Sequence, residues 1–349
     1  MLSLDKYIDI ERLIHSFKTT IACLLGFFLA RFVGLNGDQW IVITIIVVMC
    51  AQIYVGSVVT KAYLRFLGTV VGCLMGALAI IFLGDDTTAI IAAIGFSSFI
   101  FSYFATSQEN LSYAGTLGAV TTAIIMLGQQ PTLFFALQRC LEISVGLFIA
   151  TLVSQFILPI HARTHLKRTQ AITLEQLREY YVTYLITRDI DTFQHEALDD
   201  TIVKSLTKQR QLAKESVREP LGARFDSALF VQTLHAEREI LRSIDFMRSA
   251  LSRIQNVDLL LAKSGAWQSF NDSILKAFDL LIQGITAKTP PNESIQIPAI
   301  TPLKEEINQN LSVFSREDLL YLDGFLFAAE ILSRNLISLA GLFRLLIKE

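Results

Sequence analysis

The chain has 349 residues, of which 52% are hydrophobic and only 18% carry a charged side chain. A soluble globular protein carries about 25% charged residues, so this sequence lacks the polar surface that a water-soluble protein needs. The formal net charge of -2 gives no indication of nucleic-acid binding, which requires a clustered basic face. The shortage of charge is uneven, because residues 17–159 hold few charges and residues 161–349 resemble a soluble helical protein.

Six segments in the first 160 residues are apolar over the length of about 20 residues that a membrane-spanning helix requires. The predicted spans are 17–33, 40–59, 64–83, 88–106, 111–128 and 133–158. Most of the breaks contain glycine, proline, asparagine or aspartate, whereas the break after the second span is marked only by Thr60 and Lys61. We therefore predict an all-α fold, with a six-helix transmembrane bundle at 1–160 and a cytoplasmic helical bundle at 161–349.

Lysine and arginine residues concentrate at alternate breaks and so predict an orientation. They precede the first span, separate the second from the third, and follow the sixth: Lys6, Arg12, Lys18, Lys61, Arg65, Arg163, Lys167 and Arg168. Positive residues remain on the cytoplasmic side, so we expect both termini and the C-terminal domain in the cytoplasm.

Glycines spaced by four occupy one face of the third span, at Gly68, Gly72 and Gly76. Such a face usually lets a neighbouring helix approach closely, so we assign these residues to helix packing. A second interpretation is that this face lines a narrow conduit.

A weak internal repeat links the third and sixth spans. Arg65 precedes Gly72 by seven residues and Arg139 precedes Gly146 by seven, and an offset of 74 residues separates the two pairs. The third and sixth spans run in opposite directions, so the repeat predicts two inverted sets of three helices. Inverted repeats are a recurrent plan of secondary transporters.

Charged and polar residues inside the predicted spans are the candidate substrate path. Arg139 and Glu142 lie three apart on one face of the sixth span. They form either a local ion pair near the outer interface or an arginine offered to an anionic substrate, with Glu142 as its resting partner or a protonatable group. Arg65 is the second candidate, although positive-inside anchoring also explains it.

The second predicted span adds three further candidates for the path. Thr44 and Tyr54 are polar groups that either hydrogen-bond neighbouring helices or line the path, and Trp40 is an aromatic group at its outer end. An interfacial aromatic belt also accounts for Trp40.

No catalytic constellation is present in the sequence, and no Walker-type phosphate-binding loop supports direct use of ATP. The four cysteines lie in apolar stretches without zinc-ligand spacing. His161 and His165 are four apart, but the basic residues around them favour a lipid-facing stripe over a metal site. We predict a protein that is not an enzyme and that uses no metal or cofactor.

The pattern Trp40-x3-Thr44, Arg65-x2-Gly68-Thr69-x2-Gly72 and Arg139-x6-Gly146, closing with Pro159, resembles the fusaric-acid-resistance-like (FUSC) or aromatic acid exporter family. The resemblance covers residues ~10–160 and implies a bacterial inner-membrane protein that exports aromatic or other organic acids. The plan is also similar to that of the aluminium-activated malate transporters, which form dimeric anion pores. Many exporters of the family carry two membrane modules and this sequence has one, so the resemblance implies a homodimer.

The leading hypothesis is a transporter of small organic anions through a dimeric or repeat-interface pathway, with the bilayer, the anion and a second copy as partners. In this hypothesis Arg139 and Arg65 attract the carboxylate, and Thr44, Trp40 and Tyr54 contact the ring or chain. One alternative is a passive organic-anion channel. Another is a membrane-anchored scaffold or sensor that acts through its cytoplasmic helical domain.

Overall fold

The computed structural model describes most of the chain. The described residues are 10–34, 38–84, 86–107, 110–128, 132–187, 192–220, 225–254, 261, 264–287, 295–297, 300–309 and 315–348. Within these ranges every regular element is helical and no strand occurs. The all-α prediction is confirmed, and Lys6 is the one orienting cation that lies outside the described residues.

The chain divides into two compact units. The first comprises residues 1–162 with 218–222, and the second comprises residues 163–217 with 223–349. The helices of the first unit are α1 (Ile10–Val33), α2 (Asp38–Met49), α3 (Val55–Leu83), α4 (Thr87–Ala105), α5 (Asn110–Met126) and α6 (Leu133–Phe156).

The predicted break at Thr60 and Lys61 is wrong, because both residues lie inside α3. The chain turns instead between the end of α2 and Tyr54, which is extended at φ -83 and ψ 143 and immediately precedes α3. The Lys61 ammonium lies 4.3 Å from the centre of the Tyr113 ring on α5, and this contact accommodates the charge within the bundle. Arg65 is therefore ten residues into its helix, about 15 Å along the axis, and not at the helix start.

Contacts on α2 show that it is antiparallel to α1 and parallel to α6. His15 donates from Nε2 to the carbonyl oxygen of Met49 at 2.9 Å, whereas Gly26 packs against Ile45, nearer the start of α2. The α6 residues contact α2 in ascending order, since Arg139 lies over Trp40 and Gly146 packs on Ile41 and Thr44.

Further contacts in the first unit show that helices consecutive in the chain alternate in direction. Cys73 of α3 donates to the carbonyl oxygen of Ala136, near the start of α6, at 3.6 Å. The earlier α3 residue Arg65 contacts Thr44, which packs on Gly146 further along α6, so α3 and α6 are antiparallel. Ser112 of α5 donates to the carbonyl oxygen of Ala105, the last residue of α4, at 2.6 Å. The start of α1 and the end of α6 consequently lie at the same end of the unit.

The glycine face of α3 packs directly on α5. A Cβ atom added at Gly68 would collide with the carbonyl oxygen of Ala114, and one at Gly72 would lie 2.6 Å from the carbonyl oxygen of Gly118. The obstacle in both cases is backbone, which cannot move without separating the two helices. Thr122 of α5 adds a hydrogen bond across this contact, because its Oγ1 donates to the carbonyl oxygen of Gly72 at 3.2 Å.

The outer surface of the first unit is apolar. Phe32, Phe82, Phe99 and Phe134 are between 76% and 90% exposed, a surface that suits hydrocarbon and not water. Four of its helices, α1, α3, α4 and α6, are long and apolar enough to cross a membrane, and α2 and α5 are shorter apolar helices.

The second unit contains α7 (Ala162–Tyr181) with a π-helical extension (Val182–Thr187), α8 (Thr192–Val217), α9 (Ser227–Leu251), α10 (Gly265–Thr286), α11 (Thr301–Gln309) and α12 (Arg316–Lys348). Residues 316–344 of α12 also meet the length and hydropathy of a span. Within the unit α12 packs on α9 and α10, where Phe325, Leu332 and Leu336 are fully buried.

A buried polar network joins three helices of the second unit. Gln209 of α8 donates from Nε2 to Oγ1 of Thr173 on α7 at 2.8 Å and to Oε2 of Glu237 on α9 at 2.7 Å. Complete burial raises the pKa of Glu237 to about 8, and the hydrogen bond from Gln209 only partly opposes this effect. The carboxyl group is therefore mainly protonated in the folded protein at neutral pH.

Replacing Gly72 with alanine is expected to lower the free energy of unfolding by about 1–3 kcal/mol, because the new methyl group has no space beside the backbone of α5. Gly95→Ala on α4 is the matched control, since nothing lies within 4 Å of the added Cβ atom. Thermal unfolding in detergent micelles measures both variants. Equal melting temperatures would contradict the close packing of α3 on α5.

The stability of the second unit should depend on pH through Glu237. The folded pKa of about 8 lies above the ordinary value of 4.5, so this contribution is fully present below pH ~4.5 and is lost as the pH rises through ~8. The expected slope reaches about 1.4 kcal/mol per pH unit. Urea unfolding followed by Trp267 fluorescence in a Trp40→Phe background measures it. Glu237→Gln should flatten the profile, whereas Glu330→Gln, at an exposed carboxylate, should leave it unchanged.

Candidate functional site

The candidate site is built around one face of α2. Trp40 and Thr44 are four residues apart, so they lie on the same side of the helix about one turn from each other. Thr44 is fully buried and meets α3 and α6, whereas Trp40 meets α6. The sequence prediction thus named side chains that the fold brings together, although they lie on different helices.

Arg65 reaches Thr44 from α3. Its Nη2 donates to Oγ1 of Thr44 at 3.3 Å, and only 6% of the residue is exposed. Its Nε is buried without a hydrogen-bond partner. The phenol of Tyr113 lies beside the guanidinium group, and within the described part of the chain no carboxylate forms an ion pair with Arg65. A buried guanidinium that lacks an acidic partner is energetically costly, and an anion would relieve that cost.

Arg139 reaches Trp40 from α6 and has a different environment. Its guanidinium carbon lies 5.1 Å from the centre of the Trp40 ring and 4.9 Å from that of Phe135. Its Nη1 forms an ion pair of 2.8 Å with Oε2 of Glu142, and Gln138 donates to Oε1 of the same carboxylate at 2.8 Å. The local ion pair that the sequence offered as one alternative is therefore present, and it is buried.

Gly146 explains how α2 comes close enough to take part in the site. A Cβ atom at this position would lie 2.8 Å from the carbonyl oxygen of Ile41 and 2.9 Å from Cβ of Thr44. Because glycine has no side chain, α6 presses directly on α2 and holds Thr44 towards Arg65. In the Arg-x6-Gly spacing, the arginine supplies the charge and the glycine allows the close packing that positions the residues around it.

Tyr54 lies apart from these residues. The sequence predicted that Tyr54 and Thr44 share one helix. Tyr54 lies instead in the connection before α3. Arg65 is eleven residues further along, about three turns up α3. The structure therefore brings together Arg65, Arg139, Glu142, Thr44 and Trp40, but not Tyr54.

Two residues with a buried polar atom, Lys18 and Tyr113, were not among the site residues that the sequence predicted. Lys18 is fully buried on α1, and its ammonium has no hydrogen-bond partner. The sequence does indicate that Lys18 is buried, because it precedes Ala22 and Gly26 at intervals of four on the buried face of α1. Tyr113 gave no comparable signal, because its contacts with α3 join residues about 50 positions apart in the chain.

Metal ligands do not gather in the described residues, where no group of three histidine, cysteine, aspartate or glutamate side chains could hold an ion. His161 instead lies with Nδ1 3.7 Å from Oε2 of Glu219. The other oxygen of Glu219 accepts a hydrogen bond of 2.5 Å from the backbone nitrogen of Ala162.

A double-mutant cycle tests the buried pair of Arg139 and Glu142. Replacing either residue with methionine leaves the other charge buried and alone, so each single variant should lose about 3–5 kcal/mol of unfolding free energy. The double variant should lose less than the sum of both. The exposed pair of Glu330 and Arg334 is the control and should show coupling of at most about 1 kcal/mol. Chemical unfolding in detergent micelles provides the free energies, and additive losses at Arg139 and Glu142 would contradict the pairing.

Comparison with known proteins places these contacts in a family. Residues 12–294 match the model of the fusaric acid resistance protein family. The chain is 26% identical over 196 residues to the inner membrane protein YeeA of Escherichia coli K12, an alignment that covers 56% of this chain and 54% of YeeA. It is 29% identical over 157 residues to the p-hydroxybenzoic acid efflux pump subunit AaeB of Escherichia coli O9:H4, covering 41% of this chain and 24% of AaeB.

The alignments therefore span about half of one curated relative and about a quarter of the other. The family match extends over most of the chain, including all the residues of the candidate site. Together with the long apolar helices and their exposed aromatic residues, it identifies the setting of the site as a lipid bilayer. The chain is a multi-pass inner-membrane protein and belongs to the fusaric acid resistance protein family.

Proposed function

We propose that the protein transports small organic anions, aromatic acids among them, out of the cell. The path lies inside the six-helix unit, where α3 and α6 meet α2. This function is transport and not catalysis, and the similarity to p-hydroxybenzoic acid efflux pump subunits supports it.

The observation that carries the proposal is the uncompensated charge of Arg65. A cation inside a membrane helix costs about 3 kcal/mol on insertion scales, and such residues usually mark substrate or ion pathways. Among the described residues, the polar partners of Arg65 are two neutral hydroxyl groups, those of Thr44 and Tyr113. A substrate carboxylate would supply the missing negative charge, and guanidinium groups bind carboxylates through two parallel hydrogen bonds.

Arg139, Trp40 and Glu142 supply a second set of interactions. The ring of Trp40 already lies against one guanidinium group, so an aromatic substrate has a flat apolar surface beside a cation. Glu142 neutralises Arg139 in the absence of substrate. Protonation of Glu142 would release Arg139 to a carboxylate, and this exchange would couple transport to a proton gradient.

The orientation and assembly are also proposals. The alternating directions of consecutive helices bring the start of α1 and the end of α6 to one end, where Arg12 is exposed in the first turn of α1 and Arg163, Lys167 and Arg168 follow α6. The positive-inside rule supports placing this end and both termini in the cytoplasm. We also propose a homodimer of six-span units, each with its cytoplasmic helical domain and its own path, because Arg65 and Arg139 are buried within a single copy.

Flux of radiolabelled 4-hydroxybenzoate, benzoate and malate into liposomes tests the proposed function. Arg65→Met should lower the initial rate by about 10- to 100-fold, the equivalent of one charge-assisted hydrogen bond of about 1.5–3 kcal/mol. Arg65→Lys should retain an intermediate rate, since it keeps the charge and loses the planar fork. Arg31→Met is the matched control, because Arg31 is an exposed arginine at the far end of α1.

The outcomes separate the alternatives. Accumulation that follows an imposed pH gradient supports a carrier, whereas flux that only equalises concentration supports a passive channel. No flux of any of the three anions would contradict transport and favour a scaffold or sensor. An Arg65→Met variant with the wild-type rate and wild-type melting temperature would remove Arg65 from the path.

A further inference from the structure

The two halves of the membrane unit repeat their helix contacts at the offset of 74 residues that relates Arg65 to Arg139. In the first half, Gly26 of α1 packs on Ile41 and Ile45 of α2. Adding 74 to these positions gives residues 100, 115 and 119. In the second half Phe101 of α4 packs on Gly115 and Gly118 of α5, within one residue of that expectation.

The closest glycine contacts follow the same rule. Gly72 of α3 packs on the carbonyl oxygen of Gly118 in α5, and Gly146 of α6 packs on Ile41 and Thr44 in α2. Adding 74 to a residue number in α3 gives a residue of α6, and adding 74 to one in α2 gives a residue of α5. The packing of α3 on α5 therefore corresponds to the packing of α6 on α2. Since α3 and α6 are antiparallel, the two sets of three helices are related by inversion.

The cations and their aromatic neighbours also correspond. Arg139 lies over Trp40 of α2, and position 40 corresponds to 114 on α5. Tyr113 lies one residue before that position, beside Arg65 and with the Lys61 ammonium 4.3 Å from its ring centre. Each half therefore places an arginine of its third helix against an aromatic ring from the second helix of the other half.

The two arginines differ in one respect, the acidic partner. Glu142 corresponds to position 68, which is a glycine packed on the backbone of α5. Arg139 is thus neutralised by a carboxylate of its own helix, whereas Arg65 has a second cation, Lys61, one turn away. Two neighbouring cations, one of them 94% buried and without an acid, form a place for an anion.

We propose that Lys61, Arg65 and Tyr113 form an anion-binding half-site, here named the α3 half-site. Its inverted counterpart, the α6 half-site, consists of Arg139, Trp40 and Glu142. The α3 half-site holds the carboxylate on its two cations and the substrate ring against Tyr113, and it is loaded from the cytoplasm. The α6 half-site receives the same anion and opens to the outer face. This inference rests on the proposed function. It adds that one half-site serves the cytoplasmic face and the other the outer face, and it assigns roles to Lys61 and Tyr113.

Binding to the purified full-length protein tests the α3 half-site without requiring transport. A scintillation-proximity titration with radiolabelled 4-hydroxybenzoate measures the dissociation constant. Lys61→Met removes one of the two cations that hold the carboxylate, and Tyr113→Leu removes the ring that contacts the substrate ring. Each variant should therefore weaken binding by about tenfold. Tyr103→Leu, at an exposed tyrosine of α4, is the matched control and should bind as the wild type. Wild-type affinity in both Tyr113→Leu and Lys61→Met would overturn the half-site.

Sided transport tests the division of the path. In inside-out vesicles, which present the cytoplasmic face, Tyr113→Leu should raise KM about tenfold, and in right-side-out vesicles KM should change less than twofold. Trp40→Leu should give the opposite pattern. Equal increases from both faces in either variant would overturn the two half-sites in favour of one shared site. Tight binding that is lost in Tyr113→Leu, with no flux in the wild type, would contradict transport and leave the α3 half-site intact.

Discussion

The membrane unit depends on a guanidinium group that lies inside an apolar helix bundle with only neutral hydroxyl groups as its described polar partners. Arg65 lies about 15 Å along α3 and donates to Thr44. Such a charge persists only where the surrounding helices fix its position and supply polar atoms. The short apolar helix α2 does so, because it carries Thr44 towards α3 and Trp40 towards α6 on one face.

Close approach of helix backbones makes that arrangement possible. Gly146 lets α6 press on α2, and Gly72 lets α3 press on α5. Without a hydrophobic driving force between helices in lipid, association depends on such close packing and on hydrogen bonds across it. The same contacts that hold the unit together therefore bring each arginine to an aromatic ring. Structure and proposed binding function share one set of glycines.

Much of this plan could be predicted from the sequence, because apolar length and charge are local properties. The bounds of α4, α5 and α6 lie within two residues of the predicted spans. The turn before α3 was misplaced because Lys61 interrupts the apolar pattern, and the ring that accommodates its charge comes from a distant helix. Pairings such as Arg65 with Thr44 are also non-local, so the residue types were recognisable but their partners were not.

The sequence near the C-terminus contains a capping signal that marks the start of the last helix. In this region Thr301–Gln309 and Arg316–Lys348 are two separate helices. Ser315 and Asp318 form a reciprocal cap in which each backbone nitrogen donates to the other side chain. The spacing of a serine and an acidic residue three positions later is a recognised start of a helix. Capping chemistry therefore decides this boundary more reliably than hydrophobic periodicity.

The most direct test of the central claim is an experimental structure of the protein with 4-bromobenzoate, whose bromine atom is located by anomalous scattering. The account predicts a bromine peak beside Tyr113 and carboxylate density within hydrogen-bonding distance of the Arg65 guanidinium group. A bromine peak elsewhere, with Arg65 still bound only to Thr44, would contradict the assignment of Arg65 as the anion-binding group.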